Sequence, residues 1–351
     1  MGKVVILGYG GTIATSYDPL TGTKEQAYTI KEVIDRIGTL DEYEIKCKEL
    51  RQVDSTELNQ QHWTELAKDV YSEIVKPDVT GVVITHGTDT MGYSAAALSF
   101  AIQNLGKPII FTGSQKSIDE IITDASYNLV NSINLANSNL SGVYVCFGGL
   151  IIQGTRAIKT RSSSYQAFES INYPYISPML LRGLFYLSDF AQAKKETEMT
   201  PSARYDDLKP VLYPYFSDRV FYMDMFPTMQ LSSLINYLVE QEYLGLVIKG
   251  YGLGNIPSHL INRLSASDAK ALHTILSTQC RYEGAEINSY ALGVLAKKAG
   301  IISARDMPPE TAFVKLKWLL AHYEHEYHLE PPFERGQVKE DMERAIAQEI
   351  N

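Results

Sequence analysis

The chain has 351 residues, 45% hydrophobic and 21% charged, and its 32 basic against 41 acidic residues leave a formal net charge of −9. That length holds one large α/β domain or two smaller ones. It contains no apolar run of the roughly 18 residues that span a bilayer, and no Lys/Arg block that would neutralise nucleic-acid phosphates.

Predicted strands come first and recur. The apolar β-branched run KVVIL at 3–7 starts so early that no signal peptide fits before it, which gives the expectation of a cytoplasmic protein. The three cysteines, Cys47, Cys146 and Cys280, are far apart and without C-x-x-C spacing; reduced thiols are expected, and neither a zinc site nor a disulfide framework. Further runs follow at 81–85 (GVVIT), 108–112 (PIIFT), 142–147 (GVYVCF) and 244–250 (LGLVIKG). Their continuous apolarity predicts strands covered on both faces, as in a parallel sheet between helices.

Helical periodicity lies between them. Residues 57–76 put Leu58, Trp63, Leu66, Ala67 and Val70 on one stripe, and 92–105 and 124–138 repeat the pattern. Residues 191–208 lose large apolar side chains and gain charge, as an exposed linker does. The expected organisation is therefore two α/β domains: a larger N-terminal one (1–190) with a doubly wound, mostly parallel sheet, the linker 191–208, and a smaller parallel-sheet domain (209–351) ending in helices at 309–323 and 336–349.

In open α/β sheets ligands bind beyond the carboxyl ends of the strands, so the residues after each apolar run carry the functional signal. KVVIL is followed by GYGGTIATSYDPLTG, GVVIT by HGTDTMGYSA and PIIFT by GSQKS. The first break is not a dinucleotide fingerprint: Gly8 and Gly10 match G-x-G-x-x-G, but the third glycine falls on Ile13. Thr12 is then either a hydroxyl that satisfies a tight turn or a reactive group at a strand tip, with the Gly, Ser, Asp and Pro-rich stretch up to Tyr28 able to fold over it as a lid. In the second break, Thr88 or Asp89 either caps the following helix or serves a site, Asp89 accepting from an ammonium and Thr88 holding a water or relaying a proton.

GGTIA at 10–14 and HGTDTM at 86–91 resemble the two signature segments of the asparaginase and glutaminase family. VDST at 53–56, GSQ at 113–115, RAIK at 156–159 with AFESINYP at 167–174, GYGLGNIP at 250–257 and TQC at 278–280 follow in the family's order. The resemblance spans nearly the whole chain and is strongest to cytoplasmic type I enzymes of the archaeal kind. It implies an L-asparagine amidohydrolase in which Thr12 attacks the side-chain amide, releases ammonia and leaves an acyl-enzyme for water to hydrolyse. It also implies a second group of Thr88, Asp89 and Lys159, and a lid tyrosine, Tyr28. Lys159, kept neutral by burial or by a neighbouring cation, is the candidate base acting on Thr88 or its water; either Tyr28 or the Lys159 group deprotonates Thr12. The same match places Asp54, Ser55 and Thr56 around the substrate's α-carboxylate and α-amine, with Asp89 on the amine. Backbone N–H groups of the glycine-rich loops would stabilise the charge on the amide oxygen. No metal and no cofactor is implied.

Tyr290, in NSYALG, is similar to a tyrosine that some type I enzymes supply from a neighbouring subunit, which implies a homodimer or a homotetramer. Two departures stand out: Tyr9 precedes GGT where Thr is common, and the expected PG turn reads FPTMQL at 226–231. Two rival expectations remain. One is the glutaminase-type subunit of a tRNA-dependent amidotransferase, which GSQKSIDEIITDASYNL and TRAIKTRSSS also resemble. That subunit carries a further domain before its GGT motif, whereas this chain's first strand starts at residue 3. The other is a non-catalytic amino-acid-binding module.

Overall fold

The four apolar runs before residue 150 form the centre of a six-stranded sheet in the computed structural model, which describes residues 2–176 and 209–351 apart from positions 19, 21, 22, 39, 41 and 230. The described residues form two compact units, 1–214 and 215–351. The expected linker, 191–208, lies outside the described residues.

In the first unit the sheet order is β4 (Glu44–Glu49), β1 (Lys3–Tyr9), β5 (Val79–His86), β7 (Pro108–Thr112), β8 (Gly142–Phe147) and β9 (Leu150–Gln153). The first five strands run parallel, and β9 returns antiparallel on β8. Side chains alternate across a strand. Val4, Ile6, Val83 and Ile110 accordingly face one core with Ile30 and Val33 of α1 (Ile30–Ile37) and with Leu129 and Ile133 of α4 (Ala125–Ala136). Val5, Leu7, Val82 and Ile84 are equally buried and point the opposite way, where α2 (Gln60–Ile74) lies on β5, and α3 (Met91–Ala101) on β7 and β8. Helices thus cover both faces, and each buried aliphatic side chain contributes about 1.5–3 kcal/mol.

Sequence decides the edges too. EIKCKE in β4 alternates charged and apolar residues, as suits a half-exposed edge. The expected stripe of the 57–76 helix is buried at Trp63, Leu66, Ala67 and Val70; Leu58 instead precedes the helix, whose start is fixed at Asn59 by a capping box with His62. Residues 209–214 pack with the first unit: β12 (Val211–Leu212) pairs with β6 (Ile102–Gln103), and the Pro210 carbonyl accepts the Tyr71 hydroxyl.

The second unit has its own parallel sheet of β13 (Val220–Asp224), β14 (Gly245–Gly250), β15 (His273–Thr278) and β16 (Ile302–Ser303). The helix expected at 309–323 spans Pro309–His325. The one expected at 336–349 ends sooner, covering Arg335–Glu343. Its continuation is stopped by an ion pair: Lys315 Nζ takes the Met342 and Arg344 carbonyls and the Glu349 carboxylate, and Glu349 accepts from the Ile346 and Ala347 N–H groups.

Candidate active site

Strands β1, β5 and β7 are neighbours in the sheet and run the same way, so the three polar breaks singled out in the sequence emerge side by side at one edge. Tyr9 is in register with His86, and Thr85 with Thr112.

Two glycines press the first two loops together. Gly11 has φ +94°, and a Cβ built on it would stand 2.7 Å from the Gly87 nitrogen and 2.8 Å from the His86 carbonyl carbon. Real Cβ atoms do not come so close, so only glycine permits this backbone contact. Thr12 and Thr88 each lie one residue beyond it. A Cβ on Gly87 would meet Ser55 Oγ at 2.5 Å, and the Thr90 hydroxyl donates to the Ser55 carbonyl at 2.8 Å. The 53–56 segment therefore joins the other two loops.

Thr12 opens a one-turn 3₁₀ helix, Thr12–Ala14, whose cap at Gly11 makes no side-chain hydrogen bond. The turn is closed by another residue, for the Thr15 hydroxyl donates to the Thr12 carbonyl at 2.9 Å. The capping reading of the second loop also fails. Thr90 occupies the N-cap of α3 without a side-chain cap bond, while Thr88 and Asp89 turn to Lys159. Lys159 Nζ donates to Thr88 Oγ1 and to Asp89 Oδ1, both at 2.7 Å. Thr88 is buried; the Lys159 side chain is 16% exposed and that of Asp89 60%, so the lysine nitrogen sits at the floor of the site and the carboxylate at its mouth. The neighbours of Lys159 are thus a hydroxyl and an anion, where a second cation was one of the expected arrangements. Lys159 reaches this position from β10 (Ala157–Lys159), paired with β11 (Phe168–Ser170).

Asp54 caps the short turn Ser55–Glu57 and accepts from the Thr56 N–H at 2.9 Å and the Thr56 hydroxyl at 2.8 Å. The N–H, and then the hydroxyl, hold its carboxyl below the usual carboxylate range, so it presents a negative charge at neutral pH. Ser55 is buried against Gly87, and Asp54 and Thr56 are exposed. His86, which sequence reasoning did not single out, is buried between the Tyr9 ring, centroids 5.8 Å apart, and Phe111. Its Nδ1–H donates to the Gly87 carbonyl at 2.7 Å, and burial pushes its pKa down to about 4. It is a neutral strut under the loop.

Tyr28 ends the hairpin of β2 (Thr15–Asp18) and β3 (Thr23–Gln26). Its N–H donates to the Ala14 carbonyl at 3.0 Å, two residues from Thr12, and its hydroxyl donates to Asp119. Asp119 and Gln115, which ties the third loop to the Ser162 and Ser164 carbonyls, were not foreseen as site residues; the acid in the loop after GSQ was the one available signal. Tyr290 belongs to the second unit, at the N-cap of the helix Ala291–Lys298, and is 60% exposed. Among the described residues no group of three or more His, Cys, Asp and Glu side chains is arranged to hold a metal ion, and no helix is long and apolar enough to cross a membrane.

The Asparaginase, N-terminal family model matches residues 3–188, and the Glutaminase/Asparaginase C-terminal domain model matches 219–330. The chain is 34% identical over 328 residues to a subunit of the glutamyl-tRNA(Gln) amidotransferase of Pyrococcus horikoshii, covering 91% of this chain and 72% of that protein. To the L-asparaginase of Thermococcus kodakarensis it is 32% identical over 353 residues, covering 99% of both. The solved structure of the thermostable L-asparaginase of that organism superposes with a TM-score of 0.84 at 30% identity, again over 99% of each chain.

Proposed function

The chain belongs to the asparaginase family, and from that premise we propose that it is an L-asparagine amidohydrolase releasing L-aspartate and ammonia through a Thr12 acyl-enzyme. One observation carries the reading: the Lys159, Thr88 and Asp89 cluster is held by the Gly11–Gly87 contact beside a threonine whose turn is closed by another residue.

In this mechanism Thr12 Oγ adds to the side-chain amide carbon. A threonine hydroxyl is a weak nucleophile at neutral pH and gives up its proton to a neighbouring acceptor, either Tyr28 or the Thr88–Lys159 pair. Charge gathers on the amide oxygen, where N–H groups of the glycine-rich loops stabilise it; one such donor is worth about 3–4 kcal/mol. The amide nitrogen takes the proton and leaves as ammonia. Water held by Thr88 then adds to the ester carbon; its proton passes through Thr88 to Lys159 in the neutral amine form and on to the Thr12 oxygen as that leaves, which restores the hydroxyl and frees L-aspartate. Asp89 and Asp54 offer carboxylates to the substrate ammonium, and Ser55 and Thr56 offer hydroxyls to its carboxylate. The chemistry uses side chains and backbone groups of the protein alone.

We further propose that the protein works in the reducing cytoplasm as a homodimer or homotetramer, with Tyr290 facing a neighbouring protomer's substrate. The free cysteines Cys47, Cys146 and Cys280 suit that compartment. Light scattering on the purified chain checks the assembly.

A second reading is favoured by one specific observation, the 34% identity to the amidotransferase component over 91% of the chain: the same chemistry on glutamine, with the ammonia passed to a partner. One methylene separates the substrates and is worth only about 1–3 kcal/mol of discrimination. Ammonia release from L-asparagine and L-glutamine by the purified chain tests both. Release from asparagine supports the hydrolase; release from glutamine only, or only with a partner present, supports the amidotransferase reading. Thermal stabilisation by asparagine with no ammonia from either amide would instead indicate an amino-acid-binding module.

A further inference from the structure

Tyr28 is held from two sides by groups that play no part in the hydrolysis outlined above. Its hydroxyl donates to Asp119 Oδ2. The guanidinium of Arg36, on α1, lies 3.9 Å from its ring centroid and pairs with the other oxygen of the same carboxylate, Nε to Oδ1, at 3.4 Å. The ring is therefore clamped between a cation over its face and an anion at its hydroxyl, and the two charges compensate each other.

The clamp is anchored on the nucleophile's own turn. The carbonyl of Ile13, next to Thr12, accepts the Ile118 N–H at 3.3 Å; that of Ala14 accepts the Tyr28 N–H at 3.0 Å; and that of Thr15 accepts the Ser117 hydroxyl. Three consecutive carbonyls after Thr12 thus fix the loop that carries Asp119 and the residue it binds. These groups are 91 residues apart in sequence, so the fold alone brings them together.

We propose that Asp119 and Arg36 are positioning residues for Tyr28, setting its hydroxyl to accept the proton of Thr12; the proposal rests on the amidohydrolase reading. A phenol that donates its only hydrogen to a carboxylate offers lone pairs alone to its other neighbours. As the Thr12 oxygen bonds the amide carbon, its proton passes to the Tyr28 oxygen and the phenolic proton passes to Asp119. When the carbon–nitrogen bond breaks, Asp119 returns a proton to Tyr28 and Tyr28 gives one to the departing nitrogen, which leaves as ammonia. Asp119 ends as it began, a carboxylate.

A double-mutant cycle on the full chain tests this, with steady-state ammonia release from L-asparagine for wild type, Tyr28→Phe, Asp119→Asn and the double variant. Each single change is expected to lower kcat by roughly 10- to 100-fold with KM within about twofold of wild type, and the double variant to be no slower than Tyr28→Phe alone, because Asp119 acts only through Tyr28. Losses that multiply in the double variant, an Asp119→Asn enzyme as fast as wild type, or one that is faster because Tyr28 has been released toward Thr12, would each overturn the proposal. The second measurement needs no turnover: in protein labelled with 13Cζ-tyrosine, the Tyr28 signal, assigned by its loss in Tyr28→Phe, is expected to move in Asp119→Asn. A Tyr28 signal unmoved in that variant overturns the proposal. A wild type that releases no ammonia while the signal does move overturns the amidohydrolase reading and keeps the Asp119–Tyr28 contact.

Discussion

Gly11 rests on the backbone of Gly87 with no room for a side chain between them, and the threonines that follow these two residues are those assigned to acyl transfer. The contact ties the geometry of the site to two hydrogen atoms. Gly11→Ala is expected to cost about 2–3 kcal/mol from the positive φ and the clash, and to lower kcat for asparagine by at least about 100-fold as the Thr12 turn shifts. Gly38→Ala is the control: φ is +101° there too, but nothing lies within 4 Å of the added carbon. It should lose about 1 kcal/mol and leave kcat unchanged. Urea denaturation and steady-state kinetics on both variants check this.

Lys159 links Thr88 to Asp89. Lys159→Met should reduce kcat by roughly 10²- to 10⁴-fold, the usual scale of a lost proton-transfer group. The fold should persist, because Asp89 is largely solvated and an exposed ion pair is worth at most about 1 kcal/mol. Lys159→Arg should not rescue, since a planar fork cannot reproduce a point donor to two oxygens. Kinetics with circular dichroism on each variant decides it.

Two buried histidines make stability depend on pH. Burial pushes His86 down to about 4, and His273 likewise to about 4, with Arg335 adding a smaller push in the same direction; neither ring nitrogen of His273 has a hydrogen-bond partner among the described residues. The unfolded chain takes up a proton at each near pH 6.5, and the folded chain only near pH 4. Unfolding therefore binds protons between these values, and stability, complete above pH 6.5, falls as the pH drops through that window and levels off below it. The histidine contribution is up to about 3 kcal/mol each. Urea midpoints measured from pH 7.5 to 4 should show the decline, and His273→Phe should flatten about half of the part due to the histidines.

Lys315 and Glu349 form a fully buried ion pair at 2.6 Å, fixing the chain beyond Arg344. Lys315→Met leaves a buried carboxylate without its counter-ion, held only by the Ile346 and Ala347 N–H groups, and should cost about 3–5 kcal/mol. Adding Glu349→Leu removes that orphan charge, so the double variant should lose less than the sum of the two single changes. Denaturation of the three variants provides the comparison.

The fold was legible where packing is uniform. Strands β1, β5, β7, β8 and β14 are continuous apolar runs because helices cover both faces. β4 escaped notice because its edge position permits charges at alternate residues, and β9 because four residues after a Gly148–Gly149 turn carry little periodicity. The shortened last helix was illegible for a different cause: Lys315, buried 34 residues earlier, captures the Glu349 carboxylate and the carbonyls that a continuing helix would have used.

At the site, Thr12, Thr88 and Asp89 drew attention because each breaks an apolar run at a strand end. Lys159 sits in RAIKTRSS, where nothing local separates it from a surface lysine; only a pairing across 70 residues with Asp89 does. Asp119 had only its place in the loop after GSQ as a signal and Arg36 had none, since a carboxylate in a polar loop and an arginine on a helix gain meaning only from the tyrosine between them.

The central claim is that Thr12 forms an aspartyl ester. Its most direct test is rapid acid quenching of the enzyme during turnover of L-asparagine, followed by peptide mass spectrometry, with Thr12→Ala treated in parallel. One aspartyl group on the peptide containing Thr12, absent from the folded variant along with ammonia release, is the expected result. Ammonia release by Thr12→Ala near the wild-type rate, or an aspartyl group on a different residue, would contradict it.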